Sequence, residues 1–298
     1  MLQRFNPKNE DILVWAGSSL VPRQEAKVSV FDSVVQGGDA VWEGIRVYEE
    51  GVFLLEEHLN RLRESAHALA FENIPELSEI RAALFETLRA NGMFDKAHVR
   101  LTLTRGEKVT SGMDPRLNQS GCTLIVLAEW KESVYTNDGI SVISSSIRRN
   151  SPQFLDSKIH HNNLLNNILA KIQANVAGVD AGLMLDEHGF VSELNDTNVF
   201  LFKHGQMFTP FAKNCLPGIT RGLCLKLARE LGIESHEADL SLTDFYTADM
   251  AFSSGTMGEL TPISEIDGRA LSTEHALFDQ IRKSFEEERQ RSCSPILR

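Results

Sequence analysis

Hydrophobic and polar positions alternate with a period of two in several short runs of the chain. In longer runs they recur near 3.6, so the pattern predicts a mixture of strands and helices. Leu13-Val14-Trp15 runs into Ala16-Gly17 as a strand entering a turn, and Lys27-Val28-Ser29-Val30-Phe31 alternates as a second strand. A glycine-punctuated stretch from Gly37 and Gly38 becomes strand-like through Tyr48 and returns at Glu49-Glu50-Gly51 as a hairpin. Residues 55–69 read as a helix with Leu59, Leu62, His67 and Leu69 near one stripe. Residues 78–91 read as another, with Ile80, Ala83, Leu84 and Leu88 on one face and Gly92 as its stop. Residues 97–106 alternate cleanly, and 123–128 form the neighbouring strand.

The polar segment 132–139, containing Asn137-Asp138-Gly139, suits a linker between an N-terminal domain over 1–131 and a second over 140–298. The second part opens with a strand at 140–143. After Lys158 a helix carries Leu164, Leu165, Ile168, Leu169, Ile172 and Val176 at close to ideal spacing, and Gly178 ends it. Hairpin-like turns follow at Glu187-His188-Gly189 and His204-Gly205. The segment 216–221 leads into a helix over 222–231. Residues 248–252 are short and apolar, a terminal helix covers 274–289, and a charged end through Arg298 is expected to fray. The chain has no internal repeat and no low-complexity tract.

Composition narrows the function classes. The 298 residues suit one large domain or two ordinary ones, with 42% hydrophobic and 24% charged residues, enough for a full core. A net charge of −11, from 30 Lys+Arg against 41 Asp+Glu, repels phosphate backbones and argues against nucleic acid as a partner. A small anionic substrate stays open if basic residues gather in one cleft. Cys122, Cys215, Cys224 and Cys293 show no CxxC pairing and read as reduced thiols of a cytoplasmic protein. The N-terminus lacks the apolar core of a signal peptide, and no run approaches the ~18 apolar residues of a membrane span.

Candidate chemistry centres on the segment Asp156-Ser157-Lys158-Ile159-His160-His161-Asn162-Asn163 and on Glu193. Most lysines are solvated, whereas a Schiff-base lysine needs a fixed position and a lowered pKa. Glu193 ends an alternating strand, either as a turn carboxylate or as the partner of a pyridine nitrogen, with Asn198 just beyond it. Gly218-Ile219-Thr220-Arg221 precedes a helix whose free N–H groups suit a phosphate, although Thr220 also reads as a simple N-cap. Ser253-Ser254-Gly255-Thr256 is a second small-residue turn, offering donors or forming a plain loop. Arg61 lies within a helix. Arg100, mid-strand between Val99 and Leu101, needs an anion, and Arg105 beside Gly106 is another carboxylate-binding candidate. Adjacent His160 and His161 point apart and make a poor metal pair, and no HExxH, GxxxxGK[ST], GxSxG or GxGxxG motif is present.

Taken in order, these residues resemble the class IV, fold-type IV pyridoxal-phosphate aminotransferases from about Trp15 to Asp267, most closely the branched-chain amino-acid members. The resemblance rests on Val41-Trp42-Glu43-Gly44-Ile45-Arg46, His58-Leu59-Asn60-Arg61-Leu62, the Lys158 segment, the strand pair ending at Glu193 and Phe200, 216–221, and Ser254-Gly255-Thr256 followed by Glu259-Leu260-Thr261-Pro262. It implies an α/β fold of α+β character with a small N-terminal α/β domain over 1–131, the linker 132–139, and a large cofactor-binding domain over 140–298 with a β-barrel-like core. It implies that Lys158 forms the internal aldimine and shuttles the proton, that Glu193 holds the pyridine nitrogen with Asn198 on the cofactor side, and that Arg61, Ile219, Thr220 and Thr256 hold the phosphate. Trp42, Arg100, Arg105, Thr256 and Met257 fall on the substrate side. Arg100 matches a branched-chain pattern, and Arg105 matches the carboxylate binder of D-amino-acid members.

This chain departs from the branched-chain pattern at Gly37 and Asn163, where that pattern has tyrosines. The implied reaction is ping-pong transamination between a branched-chain-type aliphatic amino acid and a 2-oxo acid such as 2-oxoglutarate, by a homodimer. The alternatives are a D-amino-acid or amine transaminase, an aminodeoxychorismate-type lyase of the same fold, and a non-catalytic relative.

Overall fold

The computed structural model describes residues 4–132 and 138–297. The described chain divides into two compact units. One gathers 4–132, 159–163 and 292–297, and the other 138–158 and 164–291. The expected linker at 132–139 falls largely on 133–137, outside the described residues. Residues 159–163 and 292–297 fold with the N-terminal part, not with the 140–298 stretch in which the sequence places them.

The first unit contains β1 (Leu13–Ala16), β2 (Ser19–Pro22), α1 (Ser33–Gly37), β3 (Ala40–Tyr48), β4 (Gly51–Phe53), α2 (Leu55–Ala68), α3 (Leu77–Ala90), β5 (Ala97–Thr104) and β6 (Thr123–Trp130). Its antiparallel sheet runs from the C-terminal strand Cys293–Ser294 through β4, β3, β5, β6 and β1 to β2. Strands β3 and β5 pair along their whole shared length, from Ala40↔Thr104 to Val47↔Ala97. Side chains alternate across a strand, so the two faces of this pair differ sharply. Val99, Leu101 and Leu103 join Leu59, Leu62, Ile80 and Leu84 in the core. On the other set of positions, Trp42, Gly44 and Arg46 oppose Thr102, Arg100 and His98. That face carries Trp42 and Arg100, whereas Glu43, opposite Leu101, belongs to the core-facing set.

Four readings of the pattern change here. Lys27–Phe31 is not a strand: Val28, Val30 and Phe31 are exposed, and the Ser29 and Phe31 carbonyls accept from the Asp32 and Lys108 N–H groups instead of forming a ladder. The second strand is instead β2, in a hairpin with β1. The short helix α1 was not legible; Asp32 Oδ1 caps it by accepting from the Val34 N–H at 2.9 Å. On α2, His67 is exposed and His58 takes the buried face. The C-terminal end does not fray at Cys293 and Ser294, which pair with β4. Gly51, at φ +131°, permits this, because a Cβ there would lie 2.1 Å from the Ser294 carbonyl oxygen.

The second unit contains β7 (Ile140–Ser144), α4 (Leu165–Ala177), β8 (Ala181–Leu185), β9 (Val191–Leu194), β10 (Asn198–Lys203), β11 (Gln206–Pro210), α5 (Ile219–Glu230), β12 (Ser235–Ala238), α6 (Leu242–Tyr246), β13 (Met250–Gly255), β14 (Glu259–Ile266), β15 (Arg269–Ala270) and α7 (Ala276–Arg291). The sheet order is β12-β11-β10-β13-β14-β7-β8-β9, with β15 on β14. It is mixed, with β7 parallel to both β8 and β14. Since β9 leads almost directly into β10, the path curls back on itself as a half-barrel. Val142, Leu183, Val199, Leu201, Ala251 and Ile263 fill one face. On the other, Phe200 stacks on Phe252 at 4.9 Å and Phe252 meets Phe278 of α7 at 5.1 Å.

Helix α4 inverts the face its periodicity suggests. Ala170 and Ala174 are its buried residues, and Gly182 lets β8 approach so closely that a Cβ there would lie 2.9 Å from the Ala170 carbonyl oxygen. Leu165, Ile168, Leu169, Ile172 and Val176 are exposed. The spacing predicted the helix, but small residues set its packing.

Candidate active site

In the second unit the site residues gather around Asn198. Its Nδ2 donates to Glu193 Oε2 at 3.2 Å and to the Leu216 carbonyl oxygen at 2.9 Å. Its neighbour across the β10–β13 ladder is Ser254. Gly218 packs directly on it, since a Cβ at Gly218 would lie 2.1 Å from Asn198 Oδ1. One asparagine therefore joins the acidic strand end, the turn before α5 and the β13 edge.

Glu193 is buried, and its Oε1 accepts from Arg149 Nε at 2.6 Å. Burial pushes its carboxyl above the usual range, while the Arg149 charge pulls it down. Gly218 is the N-cap of α5, which starts at Ile219, so Ile219 and Thr220 lie inside the first helical turn and not ahead of a helix at Gly222. No acidic side chain occupies that turn. Free N–H groups and the helix dipole at such an end favour an anion. Arg221 is drawn to the Pro210 carbonyl oxygen and Glu237. Thr256 and Met257 sit half-buried in the turn between β13 and β14. Ser254 Oγ, just before that turn, is buried with no hydrogen-bond partner among the described residues.

Lys158 is placed differently. It is exposed, its backbone N–H donates to Asp156 Oδ1 at 3.0 Å, and it lines a cleft with Pro152, Asp186, Glu187, Phe190, Lys213 and Asn214 among others. Glu193, Thr220 and Thr256 do not line that cleft. The structure thus brings together Glu193, Asn198, Ile219 and the Ser254 edge, and leaves the lysine beside the β8–β9 turn.

In the first unit the centre is Glu43, fully buried. Arg61 donates to it through Nε at 2.8 Å and Nη2 at 2.7 Å, while His58 and His160 turn Nδ1 toward it at 2.6 and 3.1 Å. Burial opposes ionisation of Glu43, but His160 and Arg61 together hold its carboxyl well below the usual range. The segment 159–163 is laid against β3 by the Trp42 N–H to His160 O and Asn162 N–H to Ala40 O bonds, at 2.9 and 2.8 Å.

The rings of Trp42 and His160 lie 4.2 Å apart, tilted by 38°, and the Arg100 guanidinium lies 3.5 Å from the Trp42 ring centre. Arg100 also donates to Asn162 Oδ1 at 3.1 Å, and burial lowers its pKa to about 10. Arg105 is engaged otherwise. It grips Asp39 at 2.6 and 3.2 Å, donates to the Leu69 and Ala70 carbonyls, and lies over Phe71. Sequence reasoning did not pick out Arg149, Glu43, His58 or the packing role of Asn198. Glu43 and His58 stood inside motifs already singled out, whereas nothing local marked Arg149.

Residues 40–266 match the amino-transferase class IV family. The chain belongs to that family. It is 59% identical to branched-chain-amino-acid aminotransferase-like protein 2 of Arabidopsis thaliana, over 89% of this chain and 48% of that protein. It is 41% identical to a putative branched-chain-amino-acid aminotransferase of Methanocaldococcus jannaschii, over 92% of this chain and 94% of the relative. Among solved structures, the branched-chain aminotransferase of the thermophilic archaeon Thermoproteus uzoniensis, crystallised with norvaline, matches with a TM-score of 0.89 and 29% identity, covering 96% of this chain and 100% of that one. The fold is that of the fold-type IV enzymes, as the half-barrel indicates. The chain spans about half the length of the first curated relatives it matches, 48% of each.

Within this class IV member, the close approach at Gly218 is a sharp test of the Asn198 arrangement. Gly218→Ala is expected to push Asn198 off Glu193 and to destabilise the protein by about 1–3 kcal/mol, the range for overpacking. Urea unfolding measures it, and an unchanged midpoint would show that the turn yields freely.

Proposed function

We propose that the chain is a pyridoxal-phosphate-dependent aminotransferase. It moves an amino group between a branched-chain-type aliphatic amino acid and a 2-oxo acid such as 2-oxoglutarate, in ping-pong order, in the cytoplasm. The observation that carries this reading is the Asn198 cluster: a buried carboxylate at Glu193, a helix N-terminus built on Gly218, and a buried hydroxyl at Ser254 with no partner among the described residues. The cluster fits the ring-nitrogen and phosphate ends of the cofactor. The four cysteines are free thiols, in keeping with a reducing compartment.

When bound, the cofactor supplies an aldehyde that holds the amino group covalently and a ring that withdraws electrons. The chain supplies the rest. Glu193 keeps the ring nitrogen protonated. Ile219, Thr220 and Thr256 would hold the phosphate, whereas Arg61, expected to join them, is engaged by Glu43 in the first unit. Lys158 Nζ would be the amine that anchors the cofactor and, when neutral, carries the substrate α-proton. General acid–base transfer of this kind contributes about 10²–10⁴-fold. Thr256 and Met257 offer backbone N–H groups to the substrate carboxylate, and Arg100, over Trp42, meets an acidic substrate. Arg105, which a D-amino-acid reading would use, already grips Asp39, and this supports Arg100 as the substrate-side cation.

A donor screen with both enantiomers tests the reading. L-leucine, L-isoleucine and L-valine are expected to convert the bound cofactor to its amine form, and 2-oxoglutarate to restore it. Conversion by D-amino acids alone would overturn the L assignment, and pyruvate released from aminodeoxychorismate without an acceptor would indicate the lyase.

The homodimer belongs to the same proposal. The exposed stripe Leu165, Ile168, Leu169, Ile172 and Val176 carries no charge, because the one lysine of α4, Lys171, folds back onto the Asp180 carbonyl oxygen. An apolar patch of that kind marks an interface. Ile168→Asp with Ile172→Asp is expected to convert a dimer to a monomer in light scattering; an unchanged mass would place the interface elsewhere.

A further inference from the structure

The buried carboxylate at Glu193 has a cationic partner to which the function proposed above gives no role. Arg149 follows β7, and it is buried together with Glu193. Its backbone N–H donates to the Leu185 carbonyl oxygen at 2.8 Å, and its Nη1 to Asn166 Oδ1 at 3.1 Å. Asn166 is itself held, accepting from the Asn150 N–H at 3.2 Å and donating to the Arg148 carbonyl oxygen at 2.8 Å. The guanidinium is thus fixed from the end of β8 and from α4 before it reaches Glu193 Oε1 at 2.6 Å.

Glu193 is consequently gripped at both oxygens, by Arg149 on Oε1 and Asn198 on Oε2. An ionised carboxylate has about four lone-pair sites, so capacity remains for a further donor. The charged and titratable groups around it are few. Arg149 is the cation; Asp196 adds a negative field, and Cys215 is a thiol that burial keeps protonated. An isolated buried carboxylate neutralises itself by taking up a proton. Neutral Glu193 could not hold a proton on a pyridine nitrogen.

We propose that Arg149 is a positioning residue of the cofactor site, clamping the Glu193 carboxylate as a fixed anion that pairs with the ring nitrogen. The proposal rests on the function proposed above. Its test uses Arg149→Met, Arg149→Lys, Glu193→Gln and the double variant R149M/E193Q, with two readouts: pyridoxal-phosphate affinity, and the infrared carbonyl signal of a protonated carboxyl in the cofactor-free protein at neutral pH.

R149M is expected to bind the cofactor at least about tenfold more weakly, as when a supporting partner of a ligand is removed. It should also gain a protonated-carboxyl signal that the wild type and R149M/E193Q lack. The double variant should bind no more weakly than E193Q, because Arg149 acts through Glu193 alone. An R149M protein that binds the cofactor as the wild type does, or losses that add in the double variant, overturns the proposal. Should R149M fail to fold, R149K decides: it keeps the charge and loses the rigid fork, so lower affinity without the infrared signal is expected, and unchanged affinity overturns the proposal. A wild type that takes up no cofactor overturns the proposed function and this inference together. Equal uptake by wild type and R149M overturns the inference alone.

Discussion

Lys158→Ala abolishes transamination while leaving the protein folded: this is the largest effect expected of any single substitution here. The lysine side chain is exposed, and alanine keeps the backbone N–H bond to Asp156. Removing a solvent-facing side chain of this sort changes stability little. The chemical loss is much greater, because one amine serves as covalent anchor and as proton carrier. The proton-transfer share alone is about 10²–10⁴-fold in kcat. Borohydride reduction followed by peptide mapping should attach the cofactor to Lys158 in the wild type and leave no labelled peptide in K158A, with circular dichroism unchanged. A K158A protein that still turns over, or a label on another lysine, would remove Lys158 from the mechanism.

Glu43→Gln has the largest expected effect on stability. The carboxylate has no exposure and is the shared acceptor of Arg61, His58 and His160. Breaking a buried ion pair by removing one partner costs about 3–5 kcal/mol, since the remaining charge stays buried and unpaired. Urea unfolding at pH 7 measures that loss, and a change below about 1 kcal/mol, the size of an exposed pair, would show that the network relaxes.

The pH dependence has a definite sign. The folded pKa of Glu43 is depressed, so its contribution is complete above the unfolded value near 4.5 and is lost as the pH falls through the folded value. The stability gap between wild type and E43Q is therefore expected to narrow in acid. His160 acts in the same direction: burial lowers its pKa from 6.5, so protonation of the unfolded chain begins to favour unfolding below that pH.

Much of the candidate site could be read from the sequence because its signals are local. Glu193 closes an alternating strand, and Ile219 and Thr220 follow a proline-glycine turn into a helix; such features are written in a few adjacent residues. Helix α3 and strand β5 emerged near their observed bounds for the same reason, since periodicity reports which face is covered. The reading failed where pattern and partner separate. Lys27–Phe31 has the alternation of a strand, yet among the described residues it forms no ladder. Cys293–Ser294 lies in an end expected to fray and finds its partner β4 in the first quarter of the chain.

By itself, the sequence determined the longer helices and strands in their order, the family resemblance, and the kinds of functional group available. These depend on short-range periodicity and on motifs in fixed succession. Tertiary structure decided which buried charge is held by which partner. Arg149 and Glu193 are 44 positions apart, and Arg61 shares Glu43 with a histidine 117 positions along the chain from it. It also decided that α4 turns alanines inward and leucines outward, because the close approach at Gly182 admits only small side chains. The physical reason is common to all three. Desolvation and steric fit arise only once distant segments are packed, so no local pattern records them.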